Sequence, residues 1–317
     1  MKKYLVAGGA GFIGSHLVER LVAEGNEVTV VDNLCTGSLE NISAVLDKII
    51  FVESDICCFD TTEKYDTIFH LASIANPADY VILPLNLLSD VSFGTHRLLE
   101  VANECKARFY YFSSSEVYGH QMVSEFFSLS EESYSSIGLL HERSPYFISK
   151  MFGEEFVKAY SEMNNLDYII IRPFNIYGTK MDLKSQYGRV IPNFLKWASD
   201  SAPLKINGDG RQTRSFCYIN DFLDAVLLLE TLSEFQYSVV NIGNPDSISI
   251  LNLAKCVQSI SHKNIEILYE NKVEHEPCWR KPDICRINQW IGWYPKTKLE
   301  CGLKEIYEWI QKRGDYY

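Results

Sequence analysis

The chain has 317 residues, 46% hydrophobic and 22% charged, enough for more than one domain and a core of ordinary size. Its net charge of −11 sets it against nucleic acid and anionic membranes, while a local positive pocket for a small anion stays open. Nine cysteines with neither C-x-x-C nor metal-ligand spacing imply reduced thiols in a cytoplasmic compartment, most of them small buried hydrophobes, and no metal site.

The first residues, "MKKYLVAGGAGFIG", have the charge-then-apolar look of a leader, but glycines break the run and a different pattern follows. Lys3–Ala7 reads as a short strand. Phe12–Ala23 reads as a helix with Ile13, Leu17, Val18, Leu21 and Val22 on one face. Further strands are expected at 27–33, 49–55 and 65–73, and another in "RFYYFSSS" beginning at Arg108. A long helix is expected from about Pro84 to Lys106, another over Tyr146–Asn164, and a strand over 167–175. This alternation predicts an α/β fold, a Rossmann-type doubly wound parallel sheet. After residue 175 strands shorten and Tyr, Trp and Pro become frequent. Residues 1–175 are therefore expected to form the dinucleotide-binding domain. Residues 176–317 are expected to form a smaller mixed α/β substrate lobe that can return segments to the main sheet. The polar stretch 120–144 has the length of a functional lid.

Gly8, Gly11 and Gly14 lie where the first strand meets the first helix. Glycines there permit a tight turn, close approach of a pyrophosphate and packing of helix on strand, and the pyrophosphate sits at the helix N-terminus. Asp32 ends the second strand, where a carboxylate accepts hydrogen bonds from a ribose diol. It would repel a 2′-phosphate, and no arginine follows it, so the cofactor is expected to be NAD. Asp55, ending the third strand, suits either an adenine contact or a helix N-cap. Tyr146 and Lys150 have i, i+4 spacing, which places them on one helical face, where an ammonium favours phenolate and makes tyrosine a usable general base or acid. The serines of "FSSSEVYG" end the fifth strand, on the side where such sheets bind ligands. His70 is expected to be a packed or hydrogen-bonded residue. Trp279, Trp290, Trp293 and Trp309 are expected in the core of the small lobe, and Asp221 is expected to cap the helix after "CYIN".

The segments "GGAGFIGSHL", "VVDNLCTG", "HLAS", "SSSEVYG", "PYFISK", "RPFNIYG", "YGRVIPNF", "GDGRQTRSFCYINDF", "NIGNP" and "RKPD" resemble the extended short-chain dehydrogenase/reductase enzymes that act on nucleotide sugars. The likeness spans nearly the whole chain and looks nearest to the UDP-glucuronate decarboxylases, including UDP-xylose synthases. It implies a catalytic set of Ser114, Tyr146 and Lys150. It also implies cofactor contacts from Phe12, Ile13, Asn33, Ile56, Leu71 and Ala72 beside Gly8, Gly11, Gly14, Asp32, Asp55, Tyr146 and Lys150. Asn175, Arg189, Arg214 and Arg280 would hold the nucleotide diphosphate and its sugar, since arginine's planar fork pairs with phosphate oxygens. The decarboxylases use a Ser–Glu pair and an arginine in R-K-P, which here are Ser115, Glu116 and Arg280. Two departures stand out: "YFISK" is of the kind many epimerases carry, and N-x-x-G-T reads "VSFGT", with Val91 for Asn.

The reaction implied is oxidation at sugar C4, followed by decarboxylation, by reduction to the 4-epimer, or by release of the keto sugar. A protein that binds NAD and regulates without chemistry is the alternative outside enzymes. UDP is the base favoured by resemblance, with GDP, dTDP and CDP open. Neither nucleic acid nor membrane is expected as a partner. Leu85, Leu88, Val91, Phe152, Phe156 and Val157 exceed what one core face needs, and in relatives the corresponding helix pair forms a dimer interface, so a homodimer is expected.

Overall fold

The computed structural model describes residues 1–76, 79, 82–119, 127–135, 144–183, 189–235, 238–271 and 280–313. Its strands in chain order are β1 (Lys3–Ala7), β2 (Glu27–Asp32), β3 (Ile50–Glu53), β4 (Thr67–His70), β5 (Arg108–Phe112), β6 (Tyr168–Pro173), β7 (Ile176–Tyr177), β8 (Leu204–Asn207), β9 (Thr213–Ser215), β10 (Cys217–Tyr218), β11 (Val239–Ile242), β12 (Ser247–Ser249) and β13 (Ile267–Glu270). A seven-stranded sheet runs β11-β6-β5-β4-β1-β2-β3. The pairs from β3 through β6 are parallel. The order reverses between β1 and β4, the point at which open parallel sheets hold ligands. Strands covered on both faces read as continuous apolar runs, and Tyr4–Ala7, Thr67–His70 and Phe109–Phe112 are buried throughout. The fold is the expected α/β architecture.

The chain forms two compact units. The first is Met1–Val117, Ile137–Pro173 and Leu227–Val240; the second is Tyr118–Ser136, Phe174–Val226 and Asn241–Tyr317. Set against the boundary read at 175, the main break falls at Pro173, and 227–240 belongs with the sheet. In the first unit, the expected helix after Pro84 is three consecutive segments. An α-helix at Pro84–Ser89 passes through a π-helical turn at Asp90–Gly94 into an α-helix at Thr95–Cys105. Gly94 lies against Ile56 so closely that a Cβ would meet its Cδ1 at 2.4 Å. The long helix covers Ser144–Asn164. Buried Glu230 accepts hydrogen bonds from Thr67 Oγ1 and Lys2 Nζ, each at 2.8 Å.

In the second unit β7 pairs with β10, β9 with β12 and β8 with β13. The helices Val190–Ser199, Ile250–Ser261 and Leu299–Arg313 pack on one another. Fully buried Asn241 ties three stretches of chain to the end of β11. Its Oδ1 accepts from the Tyr118 hydroxyl at 2.7 Å, and its Nδ2 donates to the carbonyls of Leu129 at 2.9 Å and Asp283 at 3.3 Å. The Asn241 N–H donates to Glu131 Oε1 at 2.8 Å.

Several expectations need correction. Of the described cysteines only Cys217 is buried and none forms a disulfide; Cys35, Cys57 and Cys58 lie on loops, and Cys105, Cys256, Cys285 and Cys301 lie on helices at positions left partly or wholly exposed. Trp293 is core, anchored by its Nε1 on the Asp221 carbonyl, whereas Trp290 and Trp309 are half-buried, the latter under the Arg313 guanidinium; Trp279 lies outside the described residues. Asp221 does not cap its helix. It sits inside the first turn of Ile219–Glu230 and accepts from the Thr297 N–H at 2.8 Å. Most of the stretch 120–144 is outside the described residues.

His70 ends β4 as a buried, hydrogen-bonded residue, its Nε2 at 2.9 Å from Thr95 Oγ1. Burial, with a smaller push from the Lys150 charge, lowers its pKa from 6.5 to about 3. Below pH 6.5 the unfolded chain takes a proton that the folded chain refuses, so stability falls until the folded pKa is reached. At 1.36 kcal/mol per unit this amounts to about 3 kcal/mol by about pH 4. We expect the urea midpoint of His70→Met to fall less between about pH 7 and about pH 4 than that of the wild type. Parallel slopes would contradict the assignment.

Candidate active site

The glycine turn is built for close approach. Gly8 has φ +81°, a conformation that suits glycine, and a Cβ on it would meet the Ala72 nitrogen at 2.6 Å. A Cβ on Gly14 would lie 2.1 Å from the Gly8 carbonyl oxygen, and one on Gly11 would lie 3.3 Å from the same atom. Gly11 is the N-cap of Phe12–Ala23, without a side-chain cap, so the first helical N–H groups have no side-chain acceptor there. Phe12, Ile13 and Gly14 form that first turn, and Leu71 and Ala72 follow β4 directly beside Gly8.

Asp32 is buried at the end of β2. Its Oδ2 accepts from the Ala10 N–H and its Oδ1 from the Leu34 N–H, both at 2.9 Å. Burial raises its pKa, and those two N–H groups oppose the rise. Each oxygen retains a second lone pair, so the carboxylate fits a ribose diol. Gly37 covers it closely; a Cβ there would meet Asp32 Oδ1 at 2.9 Å.

Asp55 lies beyond β3. It caps a turn, accepting from the Cys57 N–H at 2.8 Å and from Asn33 Nδ2 at 3.1 Å; no helix begins there, which removes the N-cap reading. Burial works to raise Asp55, and these bonds overcome it, holding the carboxyl below its usual range. Asp90, on the π-helical turn, is pushed up to about 6 by burial and by the Asp55 charge, with Lys150 pulling the other way. Asp55, Cys57 and Asp90 place ligand atoms within 4.8 Å of one another, and burial and Asp55 push the Cys57 thiol up to about 12.

The three serines after β5 are all buried and face different partners. Ser113 Oγ donates to Glu154 Oε1 at 2.5 Å. Ser114 Oγ accepts from the Glu116 N–H at 3.1 Å, which fixes the turn Ser115–Tyr118 and leaves its own proton to donate. Ser115 and Glu116 form the first half of that turn. Tyr146 and Lys150 share a buried face of Ser144–Asn164, with Lys150 Nζ 5.9 Å from the Tyr146 ring centroid. Lys150 Nζ donates to the Phe112 carbonyl at 2.9 Å. Burial lowers the Lys150 pKa to about 8, against the Glu154 and Asp90 carboxylates.

The catalytic candidates thus belong to the first unit, and Asn175, Arg189, Arg214 and Arg280 to the second. Within the second unit, Asn175 has left-handed φ 43° and donates from Nδ2 to the Ser215 carbonyl at 2.9 Å. Arg214 Nη1 bonds the Thr213 carbonyl at 2.8 Å, and half-buried Arg189 stands at the N-cap of Val190–Ser199. Arg280 is buried, its Nη2 at 3.3 Å from the Gly119 carbonyl oxygen. Glu154 and Arg172 were not foreseen as site residues, although Glu154 continues the four-residue spacing of Tyr146 and Lys150.

The family described as "NAD dependent epimerase/dehydratase family" matches residues 4–243. UDP-glucuronic acid decarboxylase 1 of Xenopus tropicalis is 33% identical over 99% of this chain and 73% of its own length. UDP-glucuronic acid decarboxylase 4 of Arabidopsis thaliana is 36% identical over 95% of this chain and 67% of its own. Among solved structures, UDP-glucuronic acid 4-epimerase from Bacillus cereus, in complex with UDP-glucuronic acid and NAD, superposes with a TM-score of 0.86. It is 26% identical over 98% of this chain and 99% of that one.

A methyl group on Gly14 cannot coexist with the Gly8 carbonyl in this turn. We expect Gly14→Ala to weaken NAD binding roughly tenfold or more by calorimetry, a change of about 1.4 kcal/mol or more, with the circular dichroism of the wild type. Unchanged affinity would remove the turn from the cofactor site.

Proposed function

We propose, for a chain that belongs to the NAD-dependent epimerase/dehydratase family, a reaction that opens with oxidation of a nucleotide sugar at C4, proceeds, for UDP-glucuronate, through loss of carbon dioxide, and closes with return of the hydride to C4. The observation that carries the reading is the buried pair Tyr146 and Lys150 on one helical face, beside the serines that end β5. Lys150 supplies the charge that stabilises a Tyr146 phenolate, and the phenolate takes the proton of the C4 hydroxyl. Ser114, its oxygen already fixed by the Glu116 N–H, donates its proton to the oxygen at C4. Bound NAD would supply the acceptor for the C4 hydride and the source for its return.

Once C4 is a ketone, the carboxylate on C5 is β to it. The C5–carboxylate bond breaks, its electron pair passes into the enolate of the ketone, and a proton must then reach C5. Glu116, with Ser115 beside it, is the group assigned to deliver that proton, and Arg280 the group that holds the anionic end of the substrate. This choice is supported by the decarboxylase names of the relatives above and by Ser115, Glu116 and Arg280 occurring together. The structural likeness to a UDP-glucuronic acid 4-epimerase supports a second reading, in which the keto sugar is reduced from its other face with its carboxylate intact. Cofactor contacts are assigned to the glycine turn with Phe12 and Ile13, and to Asp32, Asn33, Asp55, Ile56, Leu71, Ala72, Tyr146 and Lys150. Asn175, Arg189 and Arg214 are assigned to the nucleotide diphosphate.

A homodimer belongs to this reading. Leu85, Phe93 and Phe152 are 76%, 68% and 47% exposed on helices that pack together, with Leu88 and Ile148 also exposed, and Phe152 stacks on Phe156 at 5.6 Å. Val91 and Val157, expected to share this face, are core residues. Light scattering at micromolar concentration should give twice the chain mass of 36.3 kDa; a monomer would contradict it.

Mass spectrometry of UDP-glucuronate incubated with the protein and NAD should show loss of carbon dioxide without accumulation of NADH. An unchanged mass with a new chromatographic peak would favour the epimerase, and accumulating NADH a net dehydrogenase. We expect Tyr146→Phe to lose on the order of 10²–10⁴ in turnover while retaining NAD, whereas a regulatory binder would keep its function. Activity that needs the Lys150 ammonium should fall as pH rises through about 8; a flat profile to about pH 10 would contradict that role.

A further inference from the structure

The helix that carries Tyr146 and Lys150 continues the same face one turn further, to Glu154. A carboxylate there is unusual for a face turned inward. Glu154 is buried and held by both neighbouring strands: Ser113 Oγ reaches Oε1 at 2.5 Å from the end of β5, and Arg172 Nε reaches Oε1 at 2.9 Å from β6. Arg172 Nη2 reaches Oε2 at 2.6 Å, so the pair is a two-pronged fork. Gly153 brings helix and strand together, since a Cβ on it would lie 2.0 Å from the Tyr111 hydroxyl oxygen.

The groups around the Lys150 ammonium explain why a carboxylate is needed there. From β5 it meets the Phe112 carbonyl, and the Tyr111 ring at 5.5 Å; from its own helix it meets the Tyr146 ring and feels the charge of Glu154. From β4 it acts on His70, which burial keeps neutral, and from the π-helical turn it feels Asp90. Burial works against its charge, and the carboxylates acting in its favour are Glu154 and, after it, Asp90. Asp90 itself titrates near 6, whereas Glu154 is fixed by a guanidinium and a hydroxyl.

We propose that Glu154 is a positioning residue for the catalytic pair: clamped by Ser113 and Arg172, it docks the Tyr146–Lys150 face on the ends of β5 and β6 and sustains the Lys150 ammonium. The inference rests on the catalytic roles given to Tyr146 and Lys150, but its test does not depend on turnover. In full-length protein labelled with carbon-13 at lysine Cε, the Lys150 resonance is the one missing from Lys150→Met. Its titration midpoint should lie at about 8 in the wild type and about one pH unit lower in Glu154→Gln. Ser113→Ala removes a hydrogen bond but no charge, and should leave the midpoint near the wild-type value.

A Glu154→Gln midpoint equal to the wild-type one would overturn the proposal. So would an equal downward shift in Ser113→Ala, which would trace the effect to packing. If Glu154→Gln does not fold, the neutral pair Glu154→Gln with Arg172→Gln replaces it and should show the same downward shift. A protein inert towards every nucleotide sugar that still gives these midpoints would remove the proposed function and leave this electrostatic assignment. Unmoved midpoints in a working decarboxylase would do the reverse.

Discussion

An ammonium group sealed between a helix and the end of a parallel sheet is the constraint on which this structure turns. Desolvation works against the Lys150 charge. The Phe112 carbonyl and the carboxylates of Glu154 and Asp90 oppose that effect, and the balance leaves the group near neutrality's upper edge, at about 8. A lysine so placed is a weak surface for packing but a strong neighbour for a phenol that must exchange a proton. Much of the local architecture follows from satisfying it. The helix must dock where a strand carbonyl is exposed, and such carbonyls occur where β5 stops pairing and turns into Ser113–Ser115.

The same strand ends organise the rest of the first unit. The sheet order reverses between β1 and β4, so the Gly8–Gly14 turn after β1 and the Leu71–Ala72 step after β4 adjoin at that point. Asp32 is held there by the glycine turn itself through the Ala10 N–H, so the group assigned to the ribose and the loop assigned to the pyrophosphate are one hydrogen-bonded assembly. The second unit uses the same economy differently. Asn241 satisfies Tyr118, Leu129, Asp283 and Glu131 with one side chain and its own amide, and Tyr118 ends the turn that begins with Ser115 and Glu116.

What could be read from sequence was what depends on near neighbours along the chain. The strand at Lys3–Ala7, the helix at Phe12–Ala23, the glycine turn and the helical pairing of Tyr146 with Lys150 are all local patterns. The place of Val239–Ile242 was not legible, because nothing in three apolar residues and one asparagine says that they join the sheet edge beside β6. Nor was the Glu154–Arg172 pair, since it needs the register of a helix against a strand that follows it. Asp221 looked like a helix cap because the sequence hides Thr297, whose N–H it accepts. Cysteine burial was misjudged for a related reason: the residue type favours interiors, yet most of the described thiols sit on loops or on helix positions that the fold leaves partly or wholly exposed.

The central claim is that one protein removes a hydride from sugar C4 and returns it to the same carbon, with Tyr146 and Lys150 managing the proton. The most direct test is turnover of UDP-glucuronate carrying deuterium at C4. The account predicts a UDP-pentose product that retains deuterium at C4, with a slower first step. Turnover with no slowing would contradict oxidation at C4, and loss of the label to solvent would contradict its return on the same protein.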